Sequence, residues 1–204
     1  IFRDTSWRHR NLGSVTVTGL VNNLNDGMVW GLLPIFLIQK GFSLHEIGIL
    51  AAVYPAVWGI GQLFSGRLSD WVCKKDLLLW GMLLQGLALL GLAMAGSFVS
   101  FALLLALLGW GTAMVYPTFL ASIAENTHPF DRAKSLGVFR FWRDMGYAVG
   151  ALLTGVLADI FGIPASIVAV GILTVVIGIW ADFRMRCGTE NPTIWNWLRQ
   201  KWAA

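Results

Sequence analysis

Charge is scarce in this sequence. Only 13% of its 204 residues are Asp, Glu, Lys or Arg, where a water-soluble domain carries about 25%. Hydrophobic residues make up 56%, and that much apolar surface needs lipid rather than water. Cysteine is equally sparse. Cys73 and Cys187 are the only two, too few for a disulfide-rich scaffold or a four-ligand zinc site. The three histidines, His9, His45 and His128, fall in loops or at the ends of apolar runs, which leaves none at mid-membrane to hold haem. No Gly-x-x-x-x-Gly-Lys phosphate loop occurs, and no nucleophile sits in a pattern with a base. The sequence therefore predicts no cofactor, no metal and no enzymatic reaction. The net charge of +4 forms no basic stripe on a soluble face, so nucleic acid is not an expected partner.

What the sequence has in abundance is long apolar runs. A membrane-spanning helix needs roughly 20 apolar residues. Six such runs can be cut: Ser14 to Leu37, Glu46 to Leu68, Leu77 to Ala95, Phe101 to Ala121, Ser135 to Leu157 and Pro164 to Ala181. Barrel strands would alternate apolar and polar residues, whereas Leu77 to Met94 is apolar nearly throughout. The expected fold is therefore an all-α membrane protein. The loops are too short to link separate domains, so residues 1–186 read as one six-helix domain. Residues 187–204 read as a tail, in which Asn191-Pro192 opens a short helix with Ile194, Trp195, Leu198 and Trp202 on one face. That pattern suits a helix lying in the membrane interface. Ser43 to Glu46 has capping-box spacing and should start the second span. The first residue is Ile1 rather than Met, so the chain reads as beginning inside a longer one or after processing, without a cleavable signal peptide.

Basic residues predict the orientation. With both termini on one side, 14 of the 15 Lys and Arg residues fall on that side and Lys40 alone falls opposite. The positive-inside rule makes the rich side cytoplasmic. The expected location is a bacterial-type cytoplasmic membrane crossed six times. Cys73 and Cys187 would then lie in a reducing compartment, where a disulfide is not expected.

Polar residues inside the spans are the candidate site. Asn22, Asn23, Asn25 and Asp26 interrupt the middle of the first span, with Trp30 one turn beyond Asp26. A charged residue at the centre of a span costs roughly 2.5–3.5 kcal/mol, which favours a cavity or a partner. Asn22, Asn25, Asp26 and Trp30 are expected on a substrate or proton pathway; an interhelical hydrogen-bond cluster is the competing reading. In the fifth span Arg140 and Asp144 have ion-pair spacing, and Arg143 could face the cavity and bind an anion. Val53-Tyr54-Pro55 and Val115-Tyr116-Pro117 place prolines at mid-span, where they should bend their helices. Gly146, Gly150 and Gly155 should allow close helix packing. Gly66, Asp70, Lys74 and Lys75 form a charged turn between the second and third spans, a candidate gating latch.

An internal repeat ties these features together. Gly66-x-Leu68-x-Asp70 ends the second span and Gly155-x-Leu157-x-Asp159 ends the fifth. Each is the middle helix of a triplet, and the triplets have opposite topology, as in the inverted repeats of secondary transporters. The charged turn also resembles the loop motif of the major facilitator superfamily, Gly-x-x-x-Asp-basic-x-Gly-basic-basic. Gly66, Asp70, Lys74 and Lys75 match, Trp71 replaces the first basic residue, and Cys73 replaces the second glycine. The chain is similar to one six-helix half of such a transporter over almost its whole length. Leu107 to Thr112 lacks the arginine often found in the fourth helix of the first half, and Gly150-Ala151 stands where a Gly-Pro pair can occur. Both departures, and the Arg-rich segment from Arg3 to Arg10, favour the C-terminal half. The resemblance implies alternating access for a small solute, with protons as a candidate coupling ion and an N-terminal half or a second copy as partner. The alternative is a non-transporting subunit of a larger membrane complex that keeps the fold.

Overall fold

The computed structural model describes residues 1–187. The interfacial helix expected over residues 191–202 lies outside the described residues. Six long helices account for nearly all of the rest: α1 (Arg10–Gln39), α2 (Leu44–Trp71), α3 (Lys74–Met94), α4 (Phe98–Glu125), α5 (Arg132–Phe161) and α6 (Ile163–Arg184). All six expected spans are present. The helices run several residues past the apolar cores because polar ends stay helical once they leave the roughly 30 Å hydrocarbon layer. Five of them, α2 to α6, are long and apolar enough to cross a membrane. α1 falls short of that hydropathy because Asn22, Asn23, Asn25 and Asp26 sit in its middle.

Local signals set the ends. Ser43 accepts from the Glu46 N–H while the Glu46 carboxylate accepts from the Ser43 N–H, completing the expected capping box. Ser97 and Ser100 make a second one at the start of α4. Gly162 alone joins α5 to α6 and holds φ +86°, a conformation that side chains disfavour. Pro34, Pro55 and Pro117 lie within continuous helices.

The packing reproduces the repeat. α1 packs on α5 and α2 packs on α4; α3 packs on α4 and α1 packs on α6; α3 and α6 meet directly. Exchanging the first three helices for the last three maps this pattern onto itself. Glycine permits the closest approaches. A Cβ at Gly146 would lie 2.1 Å from the Leu20 carbonyl oxygen, and one at Gly150 would lie 2.6 Å from that of Leu24. Gly27 in α1 meets the Tyr147 carbonyl of α5 in the same way. Gly155 differs from expectation, since a Cβ there would meet nothing within 4 Å.

α2 and α5 are the least enclosed helices. α2 buries only Ile47, Leu50, Tyr54, Gly61, Ser65 and Ser69, and α5 only Ser135, Phe139, Gly146, Gly150 and Thr154. Their exposed faces carry large apolar side chains, among them Leu63, Phe64, Leu152 and Ile160.

The end of the bundle that carries the described N-terminus is tied by several polar links. Trp142 Nε1 donates to Ser6 Oγ at 2.9 Å, and Arg184 donates to the Trp7 carbonyl. Lys74 pairs with Glu125, and Lys75 pairs with Asp182 at 3.3 Å. The structure also joins Cys73 to Cys187 by a disulfide, with Cα atoms 5.6 Å apart, contrary to the expectation of two free thiols. Packing of α3 on α6 brings the two positions within bridging distance, and proximity outweighs what compartment alone suggested.

Candidate functional site

A cavity of about 290 Å³ opens among four helices. α1 supplies Asn22, Asn23 and Asp26; α2 supplies Trp58 and Gln62; α4 supplies Tyr116; α5 supplies Arg143. Asn22 and Asp26 share a face of α1 because they are one turn apart. The α1–α5 glycine contacts draw Arg143 toward that face, since a bulkier crossing would push α5 outward.

Asp26 is buried, and the Tyr54 hydroxyl donates to its Oδ1. The same hydroxyl lies 3.2 Å from Thr112 Oγ1, so a hydrogen-bonded chain runs from α1 through α2 to α4. Arg143 is held from two sides. Its Nη1 donates to the Tyr116 hydroxyl at 3.2 Å and its Nε donates to Asp144 Oδ1 at 3.0 Å. The guanidinium carbon also sits 5.5 Å from the Tyr116 ring centre, in cation–π range. Trp58 stacks on Tyr54 at 6.2 Å and meets Tyr116 edge-on at 6.0 Å. Two buried polar atoms in these walls, Asn22 Oδ1 and Trp58 Nε1, have no hydrogen-bond partner among the described residues. One carboxylate, one guanidinium, amides and aromatic faces can together bind a solute of mixed polarity.

The structure separates the candidates. Asn22, Asp26 and Arg143 come together in the cavity. Asn25 turns the other way, donating to Gln85 Oε1 at 3.1 Å and accepting from Thr174 Oγ1 at 2.8 Å. It is part of a buried clasp from α1 to α3 and α6. Trp30 packs against Tyr54 at 6.4 Å and lines a separate apolar pocket with Leu33, Pro34 and Ile47; Trp58 takes the place expected of it. Asp144 pairs with Arg143 at 2.9 Å and not with Arg140, which is exposed. Arg143 is anchored by Tyr116 on the cavity side, where its fork also reaches the neighbouring carboxylate. In the charged turn, Lys74 and Lys75 are committed to Glu125 and Asp182, while Gly66 faces open space and Asp70 is exposed at the end of α2.

Tyr54, Trp58, Gln62 and Tyr116 were not among the expected site residues. The repeated Val-Tyr-Pro triplet pointed at two of them through their prolines; Trp58 and Gln62 lie one and two turns further along the face that Tyr54 defines. The position of Asn25 carries a prediction. Asn25→Leu should leave cavity ligands bound as before but destabilise the fold by about 1–3 kcal/mol, because Gln85 and Thr174 lose a buried partner. Thermal unfolding in detergent checks it.

The sequence of residues 15–195 matches the family model of the Major Facilitator Superfamily. The inner membrane transport protein YnfM of Escherichia coli K12 is 27% identical over 140 residues, which cover 69% of this chain and 34% of that protein. The quinolone resistance protein NorA of Staphylococcus aureus N315 is 26% identical over 137 residues, 67% of this chain and 35% of that one. This chain thus spans about a third of the length of these relatives. Among solved structures, a bacterial homologue of the human lysosomal transporter Spinster, inward-facing and occupied, aligns with a TM-score of 0.77 at 14% identity, covering 93% of this chain and 46% of that one. A peptide transporter, POT, in complex with alafosfalin aligns with a TM-score of 0.76 at 15% identity, over 94% and 43%. These likenesses support the half-transporter fold.

Proposed function

The chain belongs to the Major Facilitator Superfamily, and from that premise we propose that it is the C-terminal six-helix half of a secondary transporter, with the Asp26–Arg143 cavity as its share of the solute path. The single observation that carries this reading is a carboxylate and a guanidinium facing one cavity in the middle of a membrane bundle. Such charges are costly in a span and are found facing a water-filled cavity or a partner, which makes them candidates for a pathway. The exposed apolar faces of α2 and α5 would be covered by lipid and by an N-terminal half or a second copy. Rocking of the two halves about the cavity would expose it to each side in turn. Asp26 would carry the coupling proton. Arg143 would hold an anionic group of the solute, with Trp58 and Tyr116 as its aromatic walls. Asp70, exposed at the end of α2, would latch onto the opposite half. The location would be a bacterial-type cytoplasmic membrane with both termini in the cytoplasm.

A quinolone, suggested by the NorA relative, and alafosfalin, suggested by the POT complex, are suitable probes. Arg143→Leu should weaken binding of whichever probe binds the assembled protein by roughly 10–100-fold, the loss of one charge-assisted hydrogen-bonded contact. Arg143→Lys should recover part of it. Titration calorimetry reads both. Unchanged binding in Arg143→Leu would remove the guanidinium from the solute path.

A further inference from the structure

We propose that Cys73 and Cys187 form a reversible thiol-oxidation site that clasps the α2–α3 turn to the chain just beyond α6. The disulfide joins positions 114 residues apart in sequence. Cys73 is the N-cap of α3 and is buried, whereas Cys187 is exposed. Both lie at the end of the bundle that holds Lys74, Lys75, Arg184 and Arg186. Among the described residues, 12 of the 13 Lys and Arg lie toward that end and only Lys40 lies at the other, so the positive-inside rule puts the pair in the cytoplasm. Disulfides in that compartment are usually transient, catalytic or redox-sensing rather than permanent. A bond formed there, with one sulfur open to solvent, is therefore a switch.

The chemistry is thiol–disulfide exchange with a small thiol such as glutathione. Its thiolate attacks the exposed Cys187 sulfur, the S–S bond breaks, and Cys73 leaves with the electron pair. It leaves at the N-terminus of α3, where unsatisfied backbone N–H groups favour negative charge. A second glutathione thiolate attacks the mixed disulfide at its glutathione sulfur, releasing Cys187 and oxidised glutathione. The two protons lost by the glutathione thiols end on the two cysteines. Two glutathiones are oxidised and one protein disulfide is reduced. Oxidation reverses each step.

The clasp also has a mechanical consequence. Lys75–Asp182 links the adjoining ends of α3 and α6 by an ion pair at 3.3 Å. The covalent bond converts that contact into a fixed one, next to the turn that carries Asp70. The site does not depend on whether the protein transports a solute.

The experiment equilibrates the whole purified chain in mixtures of reduced and oxidised glutathione, quenches with acid, and counts free thiols by maleimide addition and intact mass. The expected result is two added maleimides in a large excess of reduced glutathione, and none when oxidised glutathione dominates. Cycling between the buffers should interconvert the two states. The oxidised chain should melt several degrees higher, and this shift should vanish in both Cys73→Ser and Cys187→Ser. A disulfide that survives the reducing buffer would make it a permanent staple and overturn the proposal. So would two free thiols in the oxidising buffer, or glutathione stably attached to Cys187 alone. Asp76 Oδ lies with both sulfurs in a cluster within 4.8 Å. Retention of one zinc ion by the reduced chain, shielding both thiols and lost in Asp76→Asn, would assign the cluster to a metal and likewise overturn the switch.

Discussion

Asp26→Asn is expected to abolish the pH-driven component of transport while leaving solute exchange across the membrane in place. The proposed role rests on position. Asp26 is a buried carboxylate on the wall of the cavity, reached by the Tyr54 hydroxyl and facing the same space as Arg143. A carboxylate there can exchange its proton with whichever side the cavity faces. Asparagine keeps the size and one acceptor oxygen, so Tyr54 retains a partner and the fold should hold. Only the titrating group is lost. In proteoliposomes of the assembled transporter, an imposed pH gradient should then no longer drive accumulation of the probe, although preloaded probe still exchanges with labelled probe. Normal gradient-driven accumulation by a well-folded Asp26→Asn would exclude a coupling role. Misfolding of this variant would favour a structural hydrogen-bond cluster, and Asp26→Glu, which keeps the charge, would then be expected to misfold as well.

The second large effect is on the scaffold. Gly146→Ala should destabilise the bundle by about 1–3 kcal/mol, as overpacking does, and Gly146→Leu should prevent assembly of α5 on α1. A Cβ at 146 meets backbone, the Leu20 carbonyl at 2.1 Å, which cannot swing aside as a flexible side chain could. The control is Gly155→Ala on the same helix, where a Cβ meets nothing within 4 Å. It should unfold at the same temperature as the unaltered chain or slightly above it, since alanine favours the helix over glycine. Midpoints of thermal unfolding in detergent distinguish the two. Equal midpoints for Gly146→Ala and Gly155→Ala would mean that α1 and α5 are not held by close backbone contact.

Much of this architecture was legible in the residues. Apolar runs of spanning length are a strong signal because a bilayer tolerates no unsatisfied backbone, and all six appear as helices. The inverted repeat was visible in two short Gly-x-Leu-x-Asp echoes and reappears as a packing pattern that maps onto itself. Within the site, the cost of charge in a span singles out Asp26, whereas Arg143 is one of three charged residues near the start of the fifth span, where snorkelling or an ion-pair latch reads as well as a cavity role. Direction around a helix was harder to read. Asn22 and Asn25 are three residues apart in one polar cluster, yet one faces the cavity and the other reaches Gln85 and Thr174. Only the positions of α3 and α6 decide that. Trp58 and Gln62 carried no signal of their own, because tryptophan and glutamine on a span also occur at interfaces and in packing. The disulfide escaped for a different reason. Both cysteines read as cytoplasmic, where thiols stay reduced, and only the packing of α3 against α6 shows the two positions, 114 residues apart, within bridging distance.

Alternating exposure of the cavity is the central claim, and it can be measured without knowing the solute. Gln62 lines the cavity from α2. In a background carrying Cys73→Ser and Cys187→Ser, Gln62→Cys gives this chain a single thiol, whose labelling is read against that of the assembled protein without Gln62→Cys. Membrane-impermeant maleimide is applied to right-side-out and to inside-out vesicles. The account predicts labelling from both sides, with each rate changing in the opposite sense when a probe solute shifts the equilibrium between the two exposures. Labelling from one side only, at a rate indifferent to any solute, would contradict it and leave the chain as a non-transporting membrane subunit.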